Sequence, residues 1–362
     1  MLNEAQLAKA VQDGIITDAQ LKELKSLASP EAASASQAET VEDEAPRFFR
    51  SFNDIFIGMG VAILGFALKY AVALVGKGDD FMNFVAPVSA VLIFWLLGEW
   101  LTAYKRINFP SLIIAIFFAY FVSQGLINGY EFLFLENANK ATPLGIISIC
   151  GLGVIAMGAF FLRFKLPFSV LLFAGSIAIF FLSGSMALIG KDIITPYLRW
   201  VTLAIGLSVF AAAMWFDVQD PHRTKRTSDQ GFWLHLLAAP IITHSVLWTS
   251  LQPLISANEA TAETNPNLMV VIVLSMFVLF SLVALIIDRR ALLISSLGYA
   301  AAALGFIIYK FDLEGNAALI ITMVLIAVLI LSLGTGWYSL RKALFSLLPS
   351  QKFFEKLPPV AN

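Results

Sequence analysis

The feature that most constrains this chain is a series of apolar runs that begins at residue 53 and recurs almost to the C-terminus. A helix needs about 20 predominantly apolar residues to cross the ~30 Å hydrocarbon core of a bilayer. Ten runs come close to this length: 53–75, 82–103, 109–127, 142–162, 166–189, 196–216, 231–252, 267–287, 291–309 and 316–338. Because they are continuous rather than alternating, they predict helices. The predicted fold class is all-α, a polytopic transmembrane helical bundle with about ten spans.

Composition agrees with this prediction. Hydrophobic residues make up 59% of the 362 residues and charged residues only 14%, whereas an ordinary soluble domain carries about a quarter charged residues. The single cysteine, Cys150, rules out an internal disulfide and a paired-cysteine metal site. The chain opens with Asn3, Glu4 and Gln6 in place of a basic stretch and an apolar core, so we expect no cleavable signal peptide.

The distribution of basic residues provides an independent test of the number of spans. If ten helices alternate in direction, all but six of the 24 Lys and Arg residues fall on one side of the membrane. The positive-inside rule predicts that this side is cytoplasmic, so that both termini are cytoplasmic and the protein lies in a bacterial inner membrane. The six exceptions are Lys69, Lys77, Lys140, Lys191, Arg199 and Lys310.

Four segments are expected along the chain. Residues 1–28 are predicted to form a cytoplasmic helical hairpin, because Asn3 with Gln6 and Thr17 with Gln20 match helix-capping patterns. Residues 29–50 are predicted to be a flexible acidic linker, rich in Ala, Ser and Glu up to Pro46. Residues 51–340 form the predicted transmembrane domain. Residues 341–362 interleave Leu and Phe with Lys and Arg, which predicts a cytoplasmic amphipathic tail at the membrane interface.

Similar basic turns join consecutive spans at 104–110, 163–167 and 288–291. They indicate either a duplicated hairpin or only the shape that any tight turn takes, and both alternatives stay open. Five spans in each half would make a two-fold internal repeat an inverted one, as in some transporters. Small residues at four-residue spacing predict close helix packing, at Gly58 with Ala62, Gly298 with Ala302, and Ala301 with Gly305.

Ionisable residues inside a span are costly and are therefore candidates for function. Asp54, Lys69, Glu99 and Arg199 each lie within two helical turns of a predicted span end. We interpret them as interfacial residues whose charged groups reach the membrane surface. Glu99 fits this interpretation least well, because its side chain is shorter than that of Lys or Arg, and it stays a candidate for a polar site.

The seventh predicted span, 231–252, contains two of the three histidines, His235 and His244. At 100° per residue they lie on opposite faces, so they cannot bind one metal ion from an unbroken helix. Pro240 lies between them and predicts a kink. His244 is near mid-span and shares a face with Trp233 and Trp248.

We expect His244 to face the bundle interior, because a lipid-facing ring would leave its nitrogens without partners. Two roles are open: a polar pocket or gate, or a hydrogen bond to a neighbouring helix that holds the bundle together. The candidate polar site comprises His244, Thr243, Ser245, Trp248 and Glu99. No catalytic, cofactor-binding or metal-binding residue is predicted.

The loop before this span, residues 217–229, is dense in both charges. It could bind a lipid phosphate or a protein partner. We favour the alternative, a cytoplasmic turn that fixes the topology.

Three stretches carry a resemblance to a known family: Ser228 to Pro240, the turn that begins Asp288-Arg-Arg, and the tail that begins Gly336-Trp-Tyr-Ser-Leu-Arg-Lys. Together they resemble a family of proteobacterial multi-span inner-membrane proteins with a domain of unknown function. The segment that begins Gly14-Ile-Ile-Thr is similar to the short helical start of related proteins. The resemblance implies an inner-membrane location and no particular activity.

No GxSxG, HExxH or Walker motif and no intramembrane aspartate pair is present, so we expect a protein that is not an enzyme and that has no cofactor. The leading hypothesis is a transporter or permease-like protein for a small molecule or lipid. The alternative is a non-catalytic membrane scaffold or signalling protein. Its N-terminal hairpin, residues 1–28, would bind a protein partner or a second copy of the chain. The lipid bilayer is an expected partner and nucleic acid is not.

Overall fold

The computed structural model describes residues 17, 20 and 21 and then 52–135, 142–220, 223, 226–255, 266–309 and 316–347. Within these ranges the chain is helical and has no strand. The predicted linker, the rest of the predicted N-terminal hairpin and residues 348–362 lie outside them. The chain divides into two units, and the ten long helices belong to the unit that comprises residues 47–359.

Ten long helices match the ten predicted spans one for one. They are α1 (Phe52–Val75), α2 (Asp80–Leu97), α3 (Asn108–Tyr130), α4 (Pro143–Phe164), α5 (Pro167–Ile189), α6 (Leu198–Gln219), α7 (Arg226–Ile255), α8 (Pro266–Ile287), α9 (Ala291–Tyr309) and α10 (Ala317–Leu347). Eight helices, counted with the short helical segments that continue them, are long and apolar enough to cross a membrane. The predicted all-α helical bundle is therefore confirmed for the described residues.

Two of the helices end in π-helical segments. α2 continues as a π-helix over Gly98–Tyr104, and α3 continues as one over Glu131–Leu135. A π-helical segment changes the direction of the side chains relative to the preceding α-helix, and such segments often lie at functional sites. Each of these two carries a glutamate in its first turn, Glu99 and Glu131.

In the N-terminal unit, Thr17 and Gln20 exchange hydrogen bonds across a helix start. Thr17 N donates to Gln20 Oε1 at 2.8 Å, and Gln20 N donates to Thr17 Oγ1 at 3.3 Å. This arrangement is the reciprocal capping box that the sequence pattern predicts at these two positions.

Four turns between consecutive helices each contain one residue in the left-handed conformation. Among the described residues, the only ones other than glycine with a positive φ, between 50° and 57°, are Arg106, Lys165, Arg223 and Asp288. Each lies in a short turn, in the order α2–α3, α4–α5, α6–α7 and α8–α9. A left-handed residue is common where one helix ends and the chain turns to the next. We call the end of the bundle that carries these four turns the basic end.

The helices pack around one row that follows the chain order. The odd-numbered helices form one row, in which α1 packs against α3, α5 against α7, and α7 against α9, with a smaller contact between α3 and α5. Each even-numbered helix lies beside this row, packed on its hairpin partner, and α10 covers α9 and α8. Within the described chain, every extensive contact joins helices one or two positions apart. The bundle is therefore a sequential stack.

Two helices, α3 and α7, carry most of the core. Phe94, Phe117, Phe118, Phe121 and Phe160 pack around α3 in a mainly aromatic cluster. α1 can lie close to α3 because Gly58 and Gly65 have no side chain. A Cβ atom at either position would overlap a phenylalanine of α3. Around α7 the core is more aliphatic and includes Leu247, Val273 and Ala303. The residues of α4 and α5, which lie between these two cores, are mostly half-buried or exposed, and in α5 only Ser169, Val170 and Gly184 are buried, as expected for helices with surfaces that face lipid.

Two local predictions change, at Gly298 and at Arg341. Gly298 faces open space and is exposed, so it does not provide the helix crossing predicted there, because its side of α9 points outward. Pro240, where a kink is predicted, is an exposed residue inside α7. α10 continues to Leu347, so that Arg341, predicted to begin a tail, is a buried residue of this helix.

Candidate functional site

Three ionisable side chains that are remote in sequence meet at the basic end of the second half of the bundle. Asp217 lies near the end of α6, His235 in the third turn of α7, and Arg289 in the turn between α8 and α9. His235 Nε2 lies 2.9 Å from Asp217 Oδ2, and Arg289 Nε donates to the same oxygen at 3.0 Å. Arg289 Nη2 bonds to the other oxygen, Asp217 Oδ1. None of the three side chains exposes more than 3% of its surface.

Glycine allows α6 and α7 to approach closely enough for this contact. A Cβ atom at Gly231 of α7 would overlap Asp217 Oδ1, and one at Gly206 of α6 would overlap Ile242 of α7. The face of α7 that packs against α6 is a stripe at helical spacing, which also presents His235. The stripe comprises Gly231, His235, Ala238, Ala239 and Ile242, all buried.

The turn between α8 and α9 positions Arg289. The left-handed conformation of Asp288 ends α8, and Arg289 N donates to the carbonyl oxygen of Ala284 at 2.9 Å. The guanidinium group then reaches the start of α7, where Nη2 donates to both the carbonyl oxygen and the hydroxyl of Ser228 at 3.1 Å. We call Asp217, Ser228, His235 and Arg289 the Asp217 cluster.

The neighbouring residue, Asp288, is the centre of a second group. Trp337 Nε1 donates to Asp288 Oδ1 at 2.7 Å, and Arg223 Nη1 lies 3.1 Å from Oδ2. Arg341, one helical turn after Trp337 in α10, lies 3.7 Å from the same Oδ2 and donates from Nε to the carbonyl oxygen of Leu285 at 3.0 Å. Arg290 covers this group from the other side, with its guanidinium 5.2 Å from the ring centre of Trp337.

These two groups together form a clamp at the basic end. Two carboxylates, from Asp217 and Asp288, bind three guanidinium groups and one imidazole, and they join α6, α7, the α8–α9 turn and α10. Buried charges are stable only when paired and hydrogen-bonded, so removal of one partner is costly. Among the described residues, no three His, Cys, Asp or Glu side chains are grouped as metal ligands would be. The arrangement can hold helix ends in one position.

The structure does not bring the predicted polar-site residues of α7 into one pocket. His244 is exposed, and its Nδ1 lies 2.8 Å from the hydroxyl of Tyr299 in α9. Thr243 is buried, and Ser245 Oγ lies 2.9 Å from Thr202 Oγ1 of α6. The side chain of Trp248 lies outside the described residues. His244 thus lies on the face of α7 opposite the buried stripe with His235, and its contact with Tyr299 is a hydrogen bond to a neighbouring helix, one of the two roles expected for it.

Glu99 belongs to a separate contact. Its carboxylate pairs with both Arg163 Nε, at 2.8 Å, and Arg163 Nη2, and so joins α2 to the end of α4 at the basic end. The two side chains are partly exposed, 31% for Glu99 and 51% for Arg163. Of the other ionisable residues in the predicted spans, Lys69 and Arg199 are exposed, as an interfacial position requires, whereas Asp54 is buried in the first turn of α1.

The sequence interpretation missed the clamp because it selected residues by depth in a span. Asp217, Arg223, Arg289 and Arg290 were interpreted as turn residues that fix topology. A usable signal existed in α7, where Gly231, Ala238 and Ala239 recur on the face of His235 and mark the side on which another helix approaches.

Comparison of the chain with protein-family models, with curated proteins and with solved structures finds no match.

Proposed function

We propose that this protein is a non-catalytic membrane scaffold or signalling protein whose clamped end is a fixed cytoplasmic platform. The observation that carries the proposal is the buried clamp, which joins α6, α7, the α8–α9 turn and α10 through paired charges. The excess of basic residues at this end supports a cytoplasmic orientation. The residues that a permease pathway around His244 would need, His244 and Glu99, contact different helices.

The platform hypothesis is tested by the accessibility of a clamp residue. In a Cys150→Ser background, Ser228→Cys and Asp229→Cys place thiols at adjacent positions, one buried against Arg289 and one exposed. If the clamp stays closed, a membrane-impermeant maleimide applied from the cytoplasmic side labels position 229 and leaves position 228 unlabelled. A permease that opens to this side would expose both thiols during its cycle, so rapid labelling of position 228 would contradict the proposal.

The predicted N-terminal hairpin would be the partner-binding module of such a scaffold. Because a long acidic linker is predicted after it, deletion of residues 1–45 is expected to leave a membrane-inserted protein that is monodisperse after extraction. Aggregation or degradation of the truncated chain would mean that these residues are part of the folded bundle, which would exclude an appended docking module.

Small-molecule transport is the second candidate, and one observation favours it. A polar groove lies between α1, α2 and α3 at the end of the bundle opposite the basic end. Its residues are separate from the clamp, so its chemistry is argued independently below.

A further inference from the structure

Two adjoining cavities form a groove where α1 ends, α2 begins and α3 ends. One has a volume of about 300 Å³ and includes Lys69, Lys77 and Tyr120 among its lining residues. The other has a volume of about 220 Å³ and is lined by Asp80, Glu131 and Phe132. Asn83 and Asn128 line both cavities, so that the two are parts of one groove.

Glycines and a pair of asparagines build the floor of this groove. A Cβ atom at Gly76 would overlap Asn83, and one at Gly129 would overlap the ring of Phe84, so the absence of side chains at these two positions allows α2 to lie close to both neighbours. Asn128 Nδ2 donates to the carbonyl oxygen of Asn83 at 2.8 Å and to its side-chain oxygen at 3.1 Å. The side-chain nitrogen of Asn83 has no hydrogen-bond partner among the described residues, and it is available to a bound molecule.

The charges of the groove are separated by sign. Lys69 and Lys77 lie in one cavity, and Asp80 and Glu131 lie in the other. Within the described part of the chain, no ion pair joins any of these four to another residue. The two lysines are also among the six basic residues that depart from the positive-inside distribution. The positive-inside rule disfavours basic residues on that side of the membrane. A role in binding would explain why these two lysines occur there.

We propose that this groove binds a zwitterion, with its anionic group between Lys69 and Lys77 and its ammonium group beside Asp80, Glu131 and the ring of Phe132. Asn83 and Asn128, between the two ends, bind the polar atoms that link the two charges. Carboxylates and an aromatic face both attract an ammonium group, and two ammonium side chains attract a carboxylate or a phosphate. A groove of this size is large enough for an amino acid or a lipid headgroup.

This chemistry has two sources at a membrane surface. A free amino acid carries a carboxylate and an ammonium group, and the headgroup of phosphatidylethanolamine carries a phosphate and an ammonium group. The probes that separate them are L-glutamine for the solute and O-phosphoethanolamine for the headgroup. Both are titrated by calorimetry into the full chain in nanodiscs of phosphatidylglycerol, which has no zwitterionic headgroup, and again in nanodiscs that also contain phosphatidylethanolamine.

We expect saturable binding of at least one probe, weakened about tenfold or more by Lys77→Gln and by Glu131→Gln, since each substitution removes one charge-assisted hydrogen bond to the bound molecule. Lys191→Gln is the matched control, an exposed lysine at the same end that does not line the groove, and it should leave binding unchanged. Ethanolamine and inorganic phosphate, each with one of the two charges, should bind more weakly than the zwitterion. All variants should unfold at the wild-type temperature, because the replaced side chains are exposed.

The pattern across nanodiscs identifies the source. Competition by phosphatidylethanolamine, with preference for O-phosphoethanolamine, supports the lipid headgroup, whereas L-glutamine binding in both nanodiscs supports a free solute. The proposal is overturned if neither probe binds saturably to the wild-type chain in nanodiscs without phosphatidylethanolamine, or if binding is the same in Lys77→Gln, Glu131→Gln and Lys191→Gln. This test is independent of the clamp, so its failure would leave the scaffold proposal unaffected.

Discussion

The guanidinium group of Arg289 contacts both carboxylate oxygens of Asp217, a residue 72 positions earlier in the chain. Arg163 makes the same two-nitrogen contact with Glu99 in the first half of the bundle. Both pairs join helices of successive hairpins at the basic end. They differ in environment, because the Asp217 pair is buried and the Glu99 pair is partly exposed.

This difference predicts unequal effects of two isosteric substitutions. Asp217→Asn leaves a buried guanidinium without its counter-charge and should reduce the free energy of unfolding by about 3–5 kcal/mol. Glu99→Gln removes a charge from a solvated pair and should cost less than about 1 kcal/mol. Thermal unfolding of both variants in the same detergent measures the difference. Equal, small losses would show that the Asp217 pair is hydrated and not part of a clamp.

A pair of glycines in helix interiors provides a steric test of the α6–α7 contact. Gly231→Ala places a methyl group where Asp217 Oδ1 lies and should be destabilising, whereas Gly298→Ala enters open space. Alanine favours a helix by up to about 1 kcal/mol over glycine, so Gly298→Ala should be neutral or stabilising. The melting temperatures of the two variants should therefore move in opposite directions. A stabilised Gly231→Ala variant would contradict the observed closeness of α6 and α7.

The hydrogen bond between His244 and Tyr299 predicts energetic coupling between α7 and α9. In a double-mutant cycle, His244→Leu and Tyr299→Phe should be coupled by about 0.6 kcal/mol, and by no more than about 1.7. His244→Gln keeps a hydrogen-bonding group and should lose less stability than His244→Leu. If the two substitutions are additive, the bond does not form in the membrane, and His244 has no structural role at this position.

The orientation of the chain is predicted from its basic residues and is tested by reporter fusions. Fusions after Leu27 and after Lys356 should both report a cytoplasmic location, and a fusion after Glu263 should report the opposite side. A cytoplasmic reporter at Glu263 would contradict the predicted topology. The clamp could then no longer be assigned to the cytoplasmic side or the groove to the opposite side.

The helices were predictable because their causes are local. About 20 consecutive apolar residues are needed for each span, and the run at 267–287 differs from α8 by a single residue at its start. The capping box of Thr17 and Gln20 is likewise formed by residues three apart. Features of this kind depend on neighbours in the chain, which a sequence displays directly.

The clamp was not predictable by the same reasoning, because each of its contacts is decided by which helices are neighbours in space. His235 and His244 differ by half a rotation of α7, and the sequence alone does not state which face meets α6. The choice of His244 rested on its depth in the span, whereas the packing face is decided by the small side chains beside His235. The partners of Asp288 come from α10 and from the α6–α7 turn, and no periodicity within one helix indicates them.

The sequential stack also bears on how the chain is assembled during synthesis. Helices that pack only on near neighbours find their partners soon after they emerge, and the first five can settle before the remainder is made. The Asp217 cluster is different, because Asp217 and His235 enter the membrane well before Arg289 is synthesised. A nascent chain that stops after α7 would leave a carboxylate without its counter-charge at the membrane boundary. Synthesis of the α8–α9 turn, which contains Arg289, is thus the step at which the buried carboxylate of Asp217 gains its counter-charge.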